Sequence, residues 1–171
     1  MRATVGPTAA APPWWRGARG EWYVVIQGVL FALLAFGPRS LPGLPAWPPA
    51  VSRGAAAGGA VLVTAGSLLA LAGGLRLGPR NLTPLPYPKE GASLVEAGPY
   101  RLVRHPIYSG ILCAALGWGL WMHAWLTLGF AALLFLLFDL KSRREERWLC
   151  ERFPGYDDYQ RRVRRLIPFL Y

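Results

Sequence analysis

The sequence predicts an all-α integral membrane protein with about four transmembrane helices. Hydrophobic residues make up 53% of the 171-residue chain, whereas charged residues make up only 16%. The hydrophobic residues occur in long blocks instead of alternating with polar ones, which is typical of membrane-spanning helices. Basic stretches separate the blocks and give the chain a net charge of +10. The last two blocks predict a C-terminal helical hairpin, and the basic sequence after them predicts amphipathic tail helices at the cytoplasmic surface.

The two N-terminal apolar blocks, 22–36 and 55–75, predict the first two spans. The first block is short for a hydrocarbon core that needs roughly 20 helical residues, and Gln27 is its one polar residue. The second block carries no charge and is rich in glycine, which favours close packing of helices in lipid. Residues 1–21 are expected to form a flexible tail whose tryptophan pair, Trp14 and Trp15, touches the lipid headgroups, and 22–171 to form one domain.

The third block, 107–138, is long enough for two helices of about 24 Å each if the chain turns near His123. A single helix through this block would exceed the thickness of a bilayer. The basic tail that follows is divided by Pro154-Gly155 into two amphipathic pieces. We expect these pieces to lie on the headgroups or to cap the helix bundle.

The distribution of basic residues predicts the orientation of the spans. The N-terminal tail, the polar connection 76–105 and the C-terminal tail are all basic, so the positive-inside rule places them in the cytoplasm. The chain is then a multi-pass protein with both termini cytoplasmic. Its basic tail is expected to contact membrane lipids and not nucleic acid. The sequence leaves the oligomeric state open.

The stretch 98–110 carries the chemistry that the sequence predicts. It reads G-P-Y-R-L-V-R-H-P-I-Y-S-G and is followed directly by an apolar run. Pro106 suits the first position of a helix, so Arg104 and His105 lie at a helix N-terminus, which attracts anions. Aromatic faces nearby suit a sulfonium or an adenine ring. No spacing of cysteines indicates a metal site.

The acidic pair Glu145-Glu146 lies in the tail that returns to the same side of the membrane. Carboxylates suit the ribose hydroxyls of a nucleoside cofactor, because they accept hydrogen bonds. The alternative is a solvated helix face on which the glutamates pair with neighbouring arginines.

The motif 98–110, the hairpin after it, and the later sequences E-E-R-W-L and F-P-G-Y together resemble the family of isoprenylcysteine carboxyl methyltransferases and phospholipid methyltransferases. The similarity covers about 82–168. It implies an integral membrane enzyme that uses S-adenosyl-L-methionine and receives a lipid-like acceptor from the bilayer. By position, the resemblance places the following residues at the cofactor: Ser93, Leu94, Val95, Tyr100, His105, Pro106, Ile107, Tyr108 and Glu145.

The resemblance also suggests roles for individual side chains. His105, Arg104 and Glu146 are the candidate catalytic residues. His105 and Arg104 would hold the methionyl carboxylate of the cofactor, and His105 or a glutamate could take a proton from an amine acceptor. Lys141 stands where the carboxyl methyltransferases have an arginine that binds the acceptor.

The predicted reaction is therefore methyl transfer to a carboxylate, amine or thiol on a lipophilic or amphiphilic acceptor at the cytoplasmic membrane face. Two alternatives stay open. Membrane enone and sterol reductases that use NADPH are similar in architecture and have an R-H-P-N-Y-like segment, in which asparagine stands where this chain has Ile107. The chain could also be a non-catalytic membrane scaffold, which would bind no nucleoside cofactor.

Overall fold

The computed structural model of the chain describes Gly17 and residues 19–171, and this part folds into five α-helices without a strand. The helices are α1 (Glu21–Phe36), α2 (Pro49–Asn81), α3 (Pro106–Trp121), α4 (Trp125–Arg152) and α5 (Tyr156–Arg162), and a 3-10 turn at Gly98–Arg101 precedes α3. The predicted all-α class is confirmed. The expected contact of Trp14 and Trp15 with headgroups lies outside the described residues.

Two of the helices, α2 and α4, are long and apolar enough to cross a membrane. Only 11% of the most apolar stretch of α2 is buried. Val61, Leu68 and Leu75 on this helix are 66%, 61% and 74% exposed, an apolar surface that suits contact with lipid. The helices α1 and α3 have 16 residues each and therefore rise about 24 Å. The number of spans stays a prediction.

The chain turns between α3 and α4 at residues 122–124, as the length of the apolar block predicts. His123 adopts a left-handed backbone (φ 52°), a conformation that glycine usually supplies in turns. Its Nε2 lies 2.8 Å from the carbonyl oxygen of Ser52, at the start of α2. The indole Nε1 of Trp125 donates to the carbonyl of Pro45 at 2.9 Å. The connection after α1 and the α3–α4 turn therefore meet at one end of the bundle.

Glycines allow α2 and α3 to pack backbone against backbone. A Cβ on Gly66 would lie 2.5 Å from the carbonyl oxygen of Gly110, and one on Gly117 would lie 2.6 Å from that of Gly59. In contrast, a Cβ on Gly58 would meet no atom within 4 Å. The predicted role of small residues in helix packing is thus borne out on one face of α2. This face aligns α3, and with it the motif that precedes α3.

Two helices extend further than the sequence predicts. The helix α2 runs to Asn81 and is interrupted by a kink at Gly78 (φ 74°) before Pro79, so it extends six residues into the expected polar connection. The helix α4 continues unbroken through the first part of the basic tail to Arg152. Charged residues continue a helix readily, so hydropathy marks where an apolar block ends and not where a helix ends. Both extensions bring charged helix ends to the end of the bundle where α3 begins.

Candidate functional site

The C-terminal segment after α5 holds the motif residues in place at the start of α3. The backbone N–H of Arg104 donates to the carbonyl of Arg164 at 2.8 Å, and that of His105 donates to the carbonyl of Arg165 at 3.1 Å. The hydroxyl of Ser109 donates to the carbonyl of Leu166 at 2.6 Å. These contacts join the first turn of α3 to residues about sixty positions later. The motif is therefore positioned by the tail.

His105 precedes the first residue of α3, and Pro106 occupies the first helical position, as predicted. The imidazole is buried and lies parallel to the ring of Tyr108, with 5.4 Å between centroids. Its Nε2 is 3.1 Å from Oε1 of Glu146, and its Nδ1 is 3.9 Å from Oε2 of Glu145. Because a carboxylate only accepts, Nε2–H donates to Glu146, and Nδ1 is the nitrogen on the side of Glu145.

The adjacent glutamates on α4 point in different directions, because successive residues of a helix are rotated by about 100°. The carboxylate of Glu145 accepts a hydrogen bond from the hydroxyl of Tyr108 at 2.8 Å. The carboxylate of Glu146 instead accepts from Nε of Arg104 at 2.7 Å and from Nε of Arg165 at 3.1 Å. The side chain of Glu146 is only 4% exposed. Glu146 thus contacts His105 and two arginines, and its catalytic role stays a prediction.

The guanidinium of Arg104 is bound within the protein. Besides the ion pair with Glu146, its Nη1 donates to the carbonyls of Gln160 and Val163 at the end of α5. Charged hydrogen bonds of this kind are stronger than neutral ones. The sequence suggests that Arg104 shares the cofactor carboxylate with His105. In the structure, Nε of Arg104 donates to Glu146 on α4 and Nη1 donates to the tail, so these two donors of Arg104 are already bound within the protein.

A cavity of about 360 Å³ lies between the end of α2, the segment before α3, and the charged end of α4. Most of the predicted site residues line it: Ser93, Leu94, Val95, Tyr100, Arg104, His105, Ile107, Tyr108, Lys141 and Glu145. Pro106 and Glu146 are not among the lining residues. Pro106 packs toward Gly73 of α2, where a Cβ would lie 3.2 Å from its Cγ. Pro106 therefore supports the cavity from behind and does not face it.

Several cavity residues are absent from the sequence-based prediction. Among them are Gln27, Asn81, Tyr156 and Tyr159. Asn81 accepts a hydrogen bond from the backbone of Ser93 at 2.9 Å, and the hydroxyl of Tyr159 donates to the carbonyl of Tyr100 at 2.6 Å. The one signal for Gln27 was its polarity within an apolar block. Burial raises the pKa of Tyr100, Tyr156 and Tyr159 well above the ordinary value, so these side chains are neutral phenols.

Lys141 reaches the cavity from α4, and its side chain is almost completely buried. Its Nζ donates to Oε1 of Gln27 on α1 at 2.7 Å. The same Nζ lies 5.2 Å from the ring centroid of Tyr108 and 5.9 Å from that of Phe138, at cation–π distance. Lys141 is 1% exposed, so its ammonium is withdrawn from bulk water. The site thus combines a carboxylate at Glu145 with a cation four residues earlier on the same helix face.

A second, apolar groove of about 420 Å³ lies between α1, α2 and α3. Its walls include Phe31 and Leu34 of α1 and Trp118 of α3. Ile111 lines both this groove and the polar cavity. The apolar groove and the polar cavity therefore border each other at Ile111.

Comparison with known proteins identifies a family and two relatives. A model of the phospholipid methyltransferase family matches residues 55–155. The chain is 32% identical over 155 residues to the cobalt-zinc-cadmium resistance protein CzcN of Cupriavidus metallidurans, covering 88% of this chain and 63% of that protein. It is also 32% identical over 83 residues to the nickel-cobalt-cadmium resistance protein NccN of Alcaligenes xylosoxydans xylosoxydans, covering 48% of this chain and 39% of that protein. The chain spans less than two thirds of the length of either relative.

The matched region 55–155 contains most of α2 and all of α3 and α4, and it includes the residues that line the polar cavity except Gln27, Tyr156 and Tyr159. It also contains the motif before α3 and the glutamate pair on α4. Since the family model covers more than half of the chain, we conclude that the chain belongs to the phospholipid methyltransferase family, a group of membrane methyltransferases.

Proposed function

We propose that the protein transfers a methyl group from S-adenosyl-L-methionine to a lipophilic or amphiphilic acceptor at the cytoplasmic face of a membrane. The observation that carries this proposal is the meeting of His105, Tyr108 and Glu145 around one cavity. These residues come from two stretches of chain about forty positions apart. The stretch with His105 suits the carboxylate of the cofactor, and the stretch with Glu145 suits its ribose hydroxyls. Membership of the family supports methyl transfer.

The cavity residues fit the chemistry of the cofactor. The volume of about 360 Å³ falls within the range usual for small-molecule sites. Glu145 can accept hydrogen bonds from ribose hydroxyls, and Tyr100 and Tyr156 offer aromatic faces to an adenine ring. His105 lies at the N-terminus of α3, where free N–H groups and the helix dipole favour a carboxylate. The bound cofactor supplies an electrophilic methyl group on a sulfonium.

The protein's contribution to the reaction is alignment and exclusion of water. The neutral rings of Tyr100, Tyr156 and Tyr159 enclose the cavity on the side of the tail. The groove past Ile111 admits an apolar chain, and Lys141 lies where its polar end would be held. Holding two reactants in line can supply several kcal/mol of the barrier reduction, about 7–11 kcal/mol in favourable cases. We therefore assign Lys141 to acceptor binding.

The orientation in the membrane is part of the proposal. We propose four spans, α1 to α4, with both termini in the cytoplasm, because the basic segments meet at the end of the bundle that holds the cavity. Reporter fusions test this orientation. A reporter active only in the cytoplasm should work after Tyr171 and fail within the 38–48 connection. The reverse pattern would overturn the assignment.

Binding of S-adenosylhomocysteine tests the cofactor assignment. Calorimetry on the purified full chain in detergent should detect S-adenosylhomocysteine, and NADPH should neither bind nor raise thermal stability. His105→Ala and Glu145→Ala should each weaken binding at least about tenfold, since each removes a charged or polar contact of about 1.5–3 kcal/mol. Glu151→Gln on the exposed side of α4 is the matched control and should bind as the parent does. Unchanged binding in both cavity variants, or stabilisation by NADPH alone, would reject the proposal.

The names of the two relatives suggest a physiological setting, which we include in the proposal. Both names refer to resistance to metals, and cobalt and cadmium appear in both. A host lacking this gene should then grow less well in cobalt or cadmium salts. Complementation with the parent gene, but not with Glu145→Ala, should restore growth. Equal growth of all strains would reject a role in metal resistance and would leave the cofactor assignment unaffected.

A further inference from the structure

We propose that residues 167–170 insert into the lipid at the edge of the bilayer and thereby fasten the tail segment that positions the motif before α3. These residues read I-P-F-L and form a turn after α5, which we call the apolar tip. Its partner is the hydrocarbon just beneath the lipid headgroups. The inference concerns how the tail is held, so it does not depend on which cofactor or acceptor the cavity binds.

The first observation is that the tip exposes large apolar side chains. Phe169 is 88% exposed and Leu170 is 78% exposed. Among the large hydrophobic side chains of the described residues, only Phe36 is more exposed than Phe169. Leu75, on the apolar surface of α2 that suits contact with lipid, is 74% exposed. The tip therefore exposes its apolar side chains as fully as that surface does, although it follows a strongly basic stretch.

The second observation is that the tip is held on both sides. The hydroxyl of Tyr171 donates to Oδ1 of Asp139 at 2.8 Å and accepts from Nη2 of Arg143 at 2.5 Å. The main-chain oxygen of Tyr171 accepts from the N–H groups of Leu166 and Ile167 at 2.8 Å and 2.7 Å. The tip is therefore an ordered turn that is tied to α4, and the exposure of its side chains is a property of the fold.

The third observation is the level of the tip along α4. Asp139 is the first charged residue after the apolar stretch 125–138, so it marks where the helix leaves the hydrocarbon. The ring of Tyr171 lies 6.5 Å from that of Phe135, one turn earlier. Leu136, beside Phe135 in the sequence, is 57% exposed and suits contact with lipid. A tyrosine whose ring faces apolar residues and whose hydroxyl is hydrogen-bonded is typical of the membrane interface.

The backbone of the tip suits an apolar environment. Lipid offers no hydrogen-bond partner, so backbone N–H groups that enter it must be paired within the protein. Pro168 has no N–H, and the N–H groups of Leu170 and Tyr171 both donate to the carbonyl of Ile167. Phe169 adopts a left-handed backbone (φ 65°), which L side chains rarely adopt. The turn therefore carries a large apolar side chain at a position where glycine would be easier to accommodate.

The neighbouring charges favour a lipid surface over a second protein. The side chain of Arg143 is 53% exposed, and Arg164 is also exposed. Arginines that lie next to an apolar turn suit the phosphates of anionic lipids, while the turn itself suits the hydrocarbon. A protein partner would have to bury these guanidinium groups or pair them with acids.

Insertion of the tip would stabilise the candidate site through the residues that directly precede it. The carbonyls of residues 164–166 accept the hydrogen bonds of Arg104, His105 and Ser109. Because the tip follows without a break, the tail cannot lift away from α3 unless the turn rearranges or its apolar side chains return to water. Contact with lipid therefore holds the motif in place.

A nitroxide label tests which medium surrounds the tip. The label is attached to Phe169→Cys in a full chain that also carries Cys113→Ala and Cys150→Ala, in nanodiscs of phosphatidylcholine and phosphatidylglycerol. Relaxation of the label by oxygen, which concentrates in lipid, should exceed relaxation by a water-soluble nickel chelate. Leu136→Cys is the control in lipid, and Asp157→Cys, exposed on α5, is the control in water.

Two results would overturn the insertion. Stronger relaxation by the nickel chelate at Phe169→Cys, as expected for Asp157→Cys, would place the tip in water. Weak relaxation by both reagents would place it against protein, either a second copy of this chain or another partner.

Removal of the apolar side chains tests the fastening of the tail. Phe169→Ser combined with Leu170→Ser should speed hydrogen exchange at the amides of Arg104 and His105 at least about tenfold in the same nanodiscs, the factor expected when one large side chain loses its apolar contact. Phe36→Ser, at the opposite end of the bundle and 90% exposed in the parent, is the matched control and should leave this exchange unchanged. Continued protection of the α2 and α3 amides verifies folding. Unchanged exchange in the double variant would reject the fastening, whatever medium surrounds the label.

Discussion

The hydroxyl of Tyr108 donates a hydrogen bond of 2.8 Å to the carboxylate of Glu145, which joins the first turn of α3 to the charged end of α4. The two residues are 37 positions apart in the sequence, and both line the polar cavity. The ring of Tyr108 also lies between that of His105 and that of Phe138, with centroids 5.4 Å and 4.5 Å away. Tyr108 therefore sets the position of both polar groups that we assign to the cofactor.

Replacing Tyr108 by phenylalanine should weaken cofactor binding while the fold is kept. The ring contacts remain, but Glu145 loses a donor that orients its carboxylate. A hydrogen bond of this kind is worth about 1–2 kcal/mol, so the dissociation constant for S-adenosylhomocysteine should rise about five- to thirtyfold. Calorimetry measures this change. Tyr23→Phe, in α1 and away from the cavity, should bind as the parent does; a Tyr108→Phe chain that binds equally well would contradict the assigned role.

The neighbouring glutamates should respond in opposite ways to the same substitution. Glu145→Gln should lower affinity for S-adenosylhomocysteine and leave thermal stability near that of the parent, because Glu145 faces the cavity. Glu146→Gln should instead destabilise the protein by about 3–5 kcal/mol, since it leaves Arg104 and Arg165 without their buried partner. Thermal unfolding measures the stability of each variant, and a separate binding experiment at low temperature measures its affinity for S-adenosylhomocysteine. Equal stability of both variants would contradict this role of Glu146.

Replacing Gly66 by alanine should destabilise the protein, whereas replacing Gly58 by alanine should stabilise it. Gly66→Ala would force a methyl group to within 2.5 Å of the Gly110 carbonyl, so α2 and α3 must move apart at a cost of about 1–3 kcal/mol. Gly58→Ala meets no atom within 4 Å and should stabilise the helix by about 0.5–1 kcal/mol. Thermal stability in detergent measures both. A neutral Gly66→Ala variant would argue against the close contact of the two helices.

The protein should lose stability at high pH because of its buried phenols. Burial raises the pKa of Tyr100, Tyr156 and Tyr159 above the ordinary 10.0, so the folded state holds these protons more tightly than the unfolded state does. Their contribution to stability is therefore complete below about pH 10 and is lost as the pH rises further. Denaturation midpoints measured between about pH 8 and pH 11 give this profile.

Tyr156→Phe should show a smaller alkaline loss, because one of the three groups is removed. The exposed Tyr87→Phe variant serves as the control and should follow the parent curve. A Tyr156→Phe curve that also coincides with the parent would mean that this phenol does not contribute.

The sequence alone was sufficient for the fold class, the helical hairpin and the start of α3. Each of these depends on short-range patterns: the apolar block 107–138 is too long for one span, and Pro106 suits only the first turn of a helix. The same patterns misjudged where α2 and α4 end, because charged residues continue a helix as readily as apolar ones. A change in hydropathy indicates where a helix leaves an apolar environment, and it does not indicate where the helix ends.

Only the tertiary structure decided which side chains share the cavity. The sequence placed Glu145 and Glu146 together, but their rotation about α4 sends one to the cavity and the other to Arg104. Likewise, the contact between Gln27 and Lys141 forms only because α1 packs against α4 in the folded protein. Contacts between residues far apart in the chain depend on packing, which no local pattern encodes, so the set of residues that share the cavity was determined only by the tertiary structure.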